Sequence, residues 1–176
     1  MDSVERAIGL TCALVDIDST TGREAEAGRY VSALLTGLGY TVVEQPVADG
    51  RFNVYAHLGI PPRVVFSTHY DCVPPFFPSR RERDLIVGRG ACDAKGILAA
   101  QVAAGERLRA AGEKAFGLLF LVGEERGSEG ARIANALAPP GVGYLINGEP
   151  TDNRQGLATR GSLRVRLSAT GRAAHS

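Results

Sequence analysis

The sequence predicts an α/β fold, in which helices cover both faces of a mostly parallel sheet. Short runs of β-branched and aromatic residues, bounded by glycine or proline, alternate along the chain with segments of helical periodicity. That order is typical of a sheet covered by helices. The chain has 176 residues, of which 44% are hydrophobic and 22% charged. This length suffices for one well-packed domain, or for one domain and the start of another.

The helical spacing of apolar residues predicts helices at four places. The first is at the N-terminus. Thr21 and Glu24 have the spacing of a capping box, which predicts that a second helix begins there and ends near Gly39. An Ala-rich helix is expected at about 93–111, and a fourth helix at about 128–137.

Apolar runs predict strands at Val42–Val43, Val54–Tyr55, Val64–Phe66, Phe116–Val122 and Gly143–Asn147. The charged, proline-rich segment 72–89 is expected to be a long loop, and loops of that size are often functional. After Thr151 the pattern changes, because residues 161–170 alternate apolar and polar side chains as a half-exposed antiparallel strand does. We therefore expect a domain boundary near residues 152–156.

The charge and the cysteines exclude several functions and favour one compartment. The formal net charge is +1 and the basic residues are scattered, so no nucleic-acid partner is expected. No apolar run has the length of a membrane span, and Asp2 and Glu5 stand where a secretory signal requires positive charge. Three cysteines without paired spacing favour a reducing, cytoplasmic location over a disulfide framework.

Acidic residues and one histidine stand where the predicted strands end and where the Ala-rich helix begins. They are His69, Asp71, Asp93, Glu124, Glu125 and Glu149. In open α/β sheets, ligand sites lie beyond the carboxyl ends of the strands, so these side chains are expected to converge. So many acids in one place repel one another unless cations are present. The sequence therefore predicts a site for one or two divalent metal ions.

The spacing within these motifs suggests individual roles. His69 and Asp71 are two residues apart and share a face of an extended segment, so Asp71 can orient the histidine or bind metal itself. Glu124 and Glu125 are adjacent and point in different directions, which allows one to bind metal while the other holds the attacking water as a base. Asp93 can bridge two metal ions. Taken singly, each motif is as well interpreted as a surface pair, a helix cap or a turn residue.

The other histidines and the nearby cysteines give weaker signals. His57 has no acidic neighbour and is expected to be a core or edge residue, and a lone histidine at His175 is ordinarily structural too. Cys72 and Cys92 flank the predicted site without the spacing of thiolate ligands, which indicates small buried thiols.

Five segments in order are far more specific than any one of them: STHYDCVPP, GRGACDAKG, GEERGSEGA, NGEPT and GRAAHS. The series extends over nearly the whole chain and resembles the M20 family of metallohydrolases, which includes acetylornithine deacetylase, desuccinylases, aminoacylase and carboxypeptidases. The resemblance implies an α/β catalytic domain with two zinc ions, for which Co²⁺ or Mn²⁺ can substitute, and a smaller lid domain that dimerises. Residues 1–155 are thus expected to belong to the catalytic domain, and residues 156–176 to begin the lid domain.

The resemblance implies four metal ligands. His69 and Glu149 match the ligands of one ion, Glu125 matches a ligand of the other, and Asp93 matches the bridge between them. The family supplies a further ligand to the second ion from a histidine late in a longer chain. We therefore expect these 176 residues to be the N-terminal part of a longer protein, or a truncated version of one. Alone, they should bind one ion tolerably and the second weakly, and hydrolyse substrate poorly.

The resemblance also implies three catalytic groups. Glu124 matches the general base, Asp71 the carboxylate that orients the ligand histidine, and His175 a lid residue that stabilises the oxyanion. The expected reaction is hydrolysis of the amide bond of small N-acyl amino acids by a metal-activated water. A dipeptidase or carboxypeptidase of the same family and a catalytically incompetent metal-binding fragment stay open as alternatives. The expected partners are a small-molecule substrate and, in the full-length protein, a second copy.

Overall fold

The computed structural model describes residues 3–137, 139, 141–158, 161 and 165–172. The helices in these residues are α1 (Ser3–Val15), α2 (Ala25–Gly37), α3 (Gly96–Ala110) and α4 (Glu129–Ala134). A distorted turn (Ala91–Lys95) precedes α3, and a 3-10 turn (Asn135–Leu137) follows α4. The strands are β1 (Thr41–Ala48), β2 (Arg51–His57), β3 (Val64–His69), β4 (Arg80–Glu82), β5 (Leu85–Val87), β6 (Phe116–Leu121) and β7 (Tyr144–Asn147).

The central sheet has the strand order β1-β2-β6-β3-β7. β3 pairs in parallel with both β6 and β7, whereas β2 is antiparallel to β1 and to β6. Every strand of this sheet except β2 therefore runs in the same direction. The prediction of a mostly parallel α/β sheet is confirmed. β4 and β5 form a separate hairpin inside the segment that was predicted to be a loop.

The main hydrophobic core lies on one face of the sheet. α2 packs on β1 and β2, α3 packs on β3 and β6, and α1 packs on α3. The apolar periodicity of each helix explains this, because its buried residues fall on the stripe that faces the strands. Fully buried members of the core include Leu14, Val31, Leu35, Leu98, Phe116 and Phe120.

Helix α4 covers part of the opposite face. Asn53 alternates with the core residue Val54 along β2, so its side chain points away from the core. There its amide nitrogen donates to the carbonyl oxygen of Gly130 in α4 (2.9 Å), and its amide oxygen accepts from the backbone N–H of Val122 (3.2 Å). Beside α4, a groove of about 550 Å³ exposes apolar side chains of the sheet, among them Leu119.

The start of α2 differs from the prediction. Glu24, rather than Thr21, occupies the N-cap position, and α2 begins at Ala25. The carboxylate of Glu24 is fully buried and accepts hydrogen bonds from the backbone N–H of Gly22 (2.6 Å) and from Arg51 (3.2 Å). The predicted capping box is therefore wrong, because the buried charge of Arg51 holds the Glu24 side chain away from the helix end.

The parts of the chain that follow β6 are more exposed to solvent than the rest of the sheet. In β7, an edge strand, Tyr144, Leu145 and Ile146 are 73%, 63% and 51% exposed. Residues 165–172 are exposed and form no strand, and the rest of the predicted antiparallel strand lies largely outside the described residues. The domain boundary near residue 155 stays a prediction. In the described part of the chain, no helix combines the length and apolar character that crossing a membrane requires.

Candidate metal centre

The carboxyl ends of three adjacent parallel strands bring predicted site residues together. β3 ends at His69, β6 is followed by Glu124 and Glu125, and β7 is followed by Glu149. Because β3 lies between β6 and β7 and is parallel to both, all three strands end at the same edge of the sheet. This is the edge at which open α/β sheets place ligands.

His69, Asp93 and Glu149 form a compact group of donor atoms. His69 Nε2 lies 3.0 Å from Asp93 Oδ1 and 3.7 Å from Glu149 Oε2, and one donor atom from each residue lies within 4.8 Å of the others. His69 is buried, whereas the side chains of Asp93 and Glu149 are 50% and 36% exposed. An imidazole nitrogen and two carboxylate oxygens fit the ligand preferences of zinc, and the partial exposure leaves access for water or substrate.

The surroundings of His69 attract positive charge. Burial alone lowers the pKa of its imidazole, but the carboxylates of Asp71 and Glu149 raise that pKa to about 11. The nearby imidazole of His69 in turn holds the pKa of Glu149 below its usual value. Carboxylates that stabilise an added positive charge this strongly suit the binding of a divalent cation.

Asp71 connects the histidine to the loop that follows β6. Its buried carboxylate accepts hydrogen bonds from the backbone N–H groups of Glu124 (3.1 Å) and Glu125 (3.2 Å) and from the Thr21 hydroxyl (3.1 Å). His69 Nδ1 lies 3.3 Å from Asp71 Oδ1 and 3.0 Å from the Asp71 backbone oxygen. Burial raises the pKa of Asp71, but His69 and the backbone N–H groups of Glu124 and Glu125 bring it below its usual value. This geometry favours the orienting role of Asp71 over direct metal binding.

Glu124 and Glu125 lie beside the donor group. Burial raises the pKa of both carboxyl groups, and the nearby acids, with Glu149 foremost for Glu124 and Asp93 for Glu125, raise it further. A raised pKa suits a carboxylate that must bind a proton reversibly. Three of the four predicted metal ligands thus share one cluster of the described residues, whereas the fourth, Glu125, lies outside it. Its role at a second ion stays a prediction.

Two residues that support the site were not predicted. Thr21 was interpreted as a helix cap, yet its hydroxyl donates to Asp71. Lys95 is fully buried, and its ammonium group donates to the backbone oxygens of Leu14 (2.9 Å) and Ile17 (2.8 Å). The one sequence signal for Lys95 is its position among alanine and glycine residues, which leave room for a long side chain.

The remaining sequence predictions have mixed outcomes. His175 lies outside the described residues, so its catalytic role stays a prediction. His57 ends β2, which is an inner strand, and its Nδ1 accepts a hydrogen bond from the backbone N–H of Gly59 (3.0 Å). Cys72 is buried as predicted. Cys92 is exposed, so the prediction of a buried thiol is wrong there, because the distorted turn before α3 directs it to solvent.

A comparison with known families decides the relationship that the motifs suggested. The sequence model of peptidase family M20/M25/M40 matches residues 65–166, more than half of the chain. The chain belongs to this family. The matched segment contains all the predicted site residues from His69 to Glu149, and the resemblance drawn from the five motifs is confirmed.

Individual relatives agree with this assignment. A probable carboxypeptidase from Aspergillus clavatus is 38% identical over 180 residues, which cover 93% of this chain and 43% of that protein. Aminopeptidase PepT from Bacillus cereus is 27% identical with a TM-score of 0.64, over 75% of this chain and 39% of that one. An M20 family metallo-carboxypeptidase from Sulfolobus solfataricus shares the fold at 24% identity and a TM-score of 0.65, over 84% and 37% of the two chains. The chain spans less than half the length of the curated relatives that it matches.

Proposed function

We propose that this chain supplies the metal-binding part of a metal-dependent peptidase. The observation that carries the proposal is the convergence of His69, Asp93 and Glu149 at one edge of a parallel sheet, with Glu124 beside them. The names of the relatives, a probable carboxypeptidase and an aminopeptidase, support peptide substrates. We therefore favour hydrolysis of a terminal bond in short peptides. Hydrolysis of N-acyl amino acids, which the motifs suggested first, is the second candidate.

In the proposed mechanism, His69, Asp93 and Glu149 would hold one zinc ion. By the family resemblance, Asp93 and Glu125 would hold a second ion. Bound zinc lowers the pKa of water and polarises a carbonyl group. The carboxylate of Glu124 takes a proton from the attacking water and donates it to the leaving amine.

The surroundings of Glu124 support its assignment as the base. Burial and the neighbouring acids raise its pKa, so its carboxylate can accept and release a proton closer to neutral pH than an ordinary glutamate. Its backbone N–H is fixed by Asp71. Its side chain lines the same groove as His69 and Glu149. These three features together favour a catalytic role for Glu124 over a purely structural one.

Two matched variants test this division of roles. Glu124→Gln should abolish peptide hydrolysis by the complete gene product that contains these residues, while zinc affinity, measured by competition with a chelator, stays close to that of the unaltered protein. Glu149→Gln, which removes one charge from the donor group, should weaken zinc binding itself. If Glu124→Gln loses zinc as well, the two glutamates have been assigned wrongly. Turnover that survives in Glu124→Gln contradicts the mechanism.

The substrate class is tested with a panel of dipeptides, with free and with blocked N-termini, and of N-acetyl amino acids. Preference for the dipeptides supports a peptidase, and preference for the N-acetyl compounds supports the second candidate. A protein that binds zinc and cleaves neither would match the catalytically incompetent alternative. A homodimeric full-length protein and a cytoplasmic location belong to the same proposal and rest on the sequence.

A further inference from the structure

Lys95 is a buried cation whose contacts lie at the end of a distant helix. Its side chain is 0% exposed, and its Nζ donates to the backbone oxygens of Leu14 (2.9 Å) and Ile17 (2.8 Å). Leu14 lies in the last turn of α1, and Ile17 follows the helix by two residues, so both oxygens lie at its C-terminal end, which attracts positive charge. The Leu14 oxygen also accepts from the backbone N–H of Ile17 (3.2 Å), and the Lys95 ammonium group adds a charged donor to it.

The same lysine closes the turn that carries Asp93. The Lys95 backbone N–H donates to the Gly90 oxygen (2.9 Å). The middle of the turn is not helical, since Asp93 has φ −124° and ψ 95°. A side chain at Gly90 would lie 3.1 Å from Lys95 Cδ, so the lysine stem packs directly on the backbone of the turn. Both the backbone and the side chain of Lys95 therefore hold this turn.

Asp93 depends on this turn for its position. Its carboxylate is half exposed, and Oδ1 lies 3.0 Å from His69 Nε2. The sheet fixes His69, but Asp93 belongs to no strand and precedes α3, which begins at Gly96. A small rotation of the turn between Gly90 and Gly96 would move Asp93 away from the other donor atoms.

We propose that Lys95 is a positioning residue for the metal centre, which locks the Asp93 turn onto the end of α1. The inference rests on the proposed function, in which Asp93 binds metal. Lys95 touches neither the metal ligand atoms nor a substrate. It acts by restricting where the Asp93 carboxylate can lie, as residues behind metal ligands commonly do.

The test compares zinc affinity in two variants of this chain by competition with a chelator. Lys95→Met keeps the length of the side chain and removes the ammonium group. Zinc affinity per folded molecule should fall by about tenfold or more, as it does when residues that orient metal ligands are replaced. Leu35→Ala is the control, because it creates a cavity in the core of α2, away from the Asp93 turn. It should lower the melting temperature and leave zinc affinity unchanged.

The outcomes separate this inference from the proposed function. If the unaltered chain does not bind zinc, the proposed metal centre fails. If the unaltered chain binds zinc, Glu149→Gln weakens binding and Lys95→Met does not, the metal centre stands and the role of Lys95 is refuted. A fall in affinity that is equal in Lys95→Met and Leu35→Ala also refutes it, since general destabilisation would then explain both.

Hydrogen exchange on the unaltered chain provides a second test, which does not require the variant to fold. Zinc should slow the exchange of amides in the turn 90–96. If Lys95 links that turn to α1, zinc should also slow the amides of Asp16 and Ile17, which donate to the oxygens of Cys12 and Leu14. Protection confined to the turn, with the end of α1 unchanged, contradicts the proposal.

Discussion

Replacing Asp71 by asparagine tests whether one carboxylate holds both the histidine ligand and the loop of the two glutamates. Asp71 is fully buried, and its carboxylate accepts from the backbone N–H groups of Glu124 and Glu125 and from the Thr21 hydroxyl. His69 Nδ1 lies 3.3 Å from one of its oxygens. Asparagine has the same shape, so the substitution changes charge and hydrogen bonding while keeping volume.

The magnitude follows from the donors around the carboxylate. Asparagine keeps one oxygen and presents an NH₂ group in place of the other. The Thr21 hydroxyl can rotate and accept from that group, but the backbone N–H of Glu124 or of Glu125 loses its acceptor. A buried donor without a partner costs about 1–3 kcal/mol, and the remaining hydrogen bonds are weaker once the charge is gone. We expect the free energy of unfolding to fall by roughly 2–4 kcal/mol.

Urea denaturation at neutral pH measures this change, and an unaltered slope of the transition shows that the variant and the unaltered chain expose the same amount of surface on unfolding. Thr21→Val is the control, because it removes one donor and leaves the carboxylate with its backbone donors. It should lower the free energy of unfolding by only about 0.5–1.5 kcal/mol. If Asp71→Asn destabilises the chain no more than Thr21→Val does, the reasoning about the carboxylate is refuted.

Two further predictions concern residues outside the donor group. Gly130→Ala should destabilise the chain by roughly 2–3 kcal/mol, because the added methyl group would lie 2.4 Å from the Val122 backbone oxygen. Gly9→Ala should instead stabilise the chain by about 0.5–1 kcal/mol, because Gly9 lies in helix α1 and an added methyl group there has no neighbour within 4 Å. Equal effects of the two in urea denaturation would contradict the packing argument. Burial raises the pKa of Asp18, but hydrogen bonds from Thr20 bring it below its usual value. Its contribution to stability is thus present above an unfolded pKa of about 3.9 and is lost as the pH falls through the lower folded value. Asp18→Asn should lower the free energy of unfolding by roughly 1 kcal/mol at neutral pH and make its decrease in acid less steep. Urea denaturation at several pH values measures this, and a pH profile that matches that of the unaltered chain would rule it out.

The sheet and the edge that carries the site could be predicted because they depend on repeated local patterns. The apolar runs at β3, β6 and β7 have the length and composition of buried strands, and polar residues follow each of them directly. Once those strands are taken as parallel, their carboxyl ends must meet. His69 and Glu149 therefore came together as expected.

The supports of the site could not be predicted, because they depend on contacts between residues far apart in the chain. Thr21 and Asp71 meet because the segment before α2 lies against the chain after β3, where Thr20 and Cys72 form a bridge. The start of α3 also depends on tertiary packing, since the Lys95 ammonium group before it donates to the distant backbone oxygens of Leu14 and Ile17. A local capping pattern contains no information about either contact.

The parallel strands also give the molecule a second end, opposite the metal centre. The turn before β6 contains Gly112, which has φ +88° and no neighbour within 4 Å of the place a side chain would occupy. The six residues of β6 separate this turn from the Glu124 loop, a distance of about 20 Å at the rise of an extended strand. A fluorophore or affinity peptide attached at Ala111, the exposed residue before Gly112, would report on folding or immobilise the protein without reaching the donor atoms. The turn at Gly112 is thus a suitable attachment site for probes used to study the metal centre.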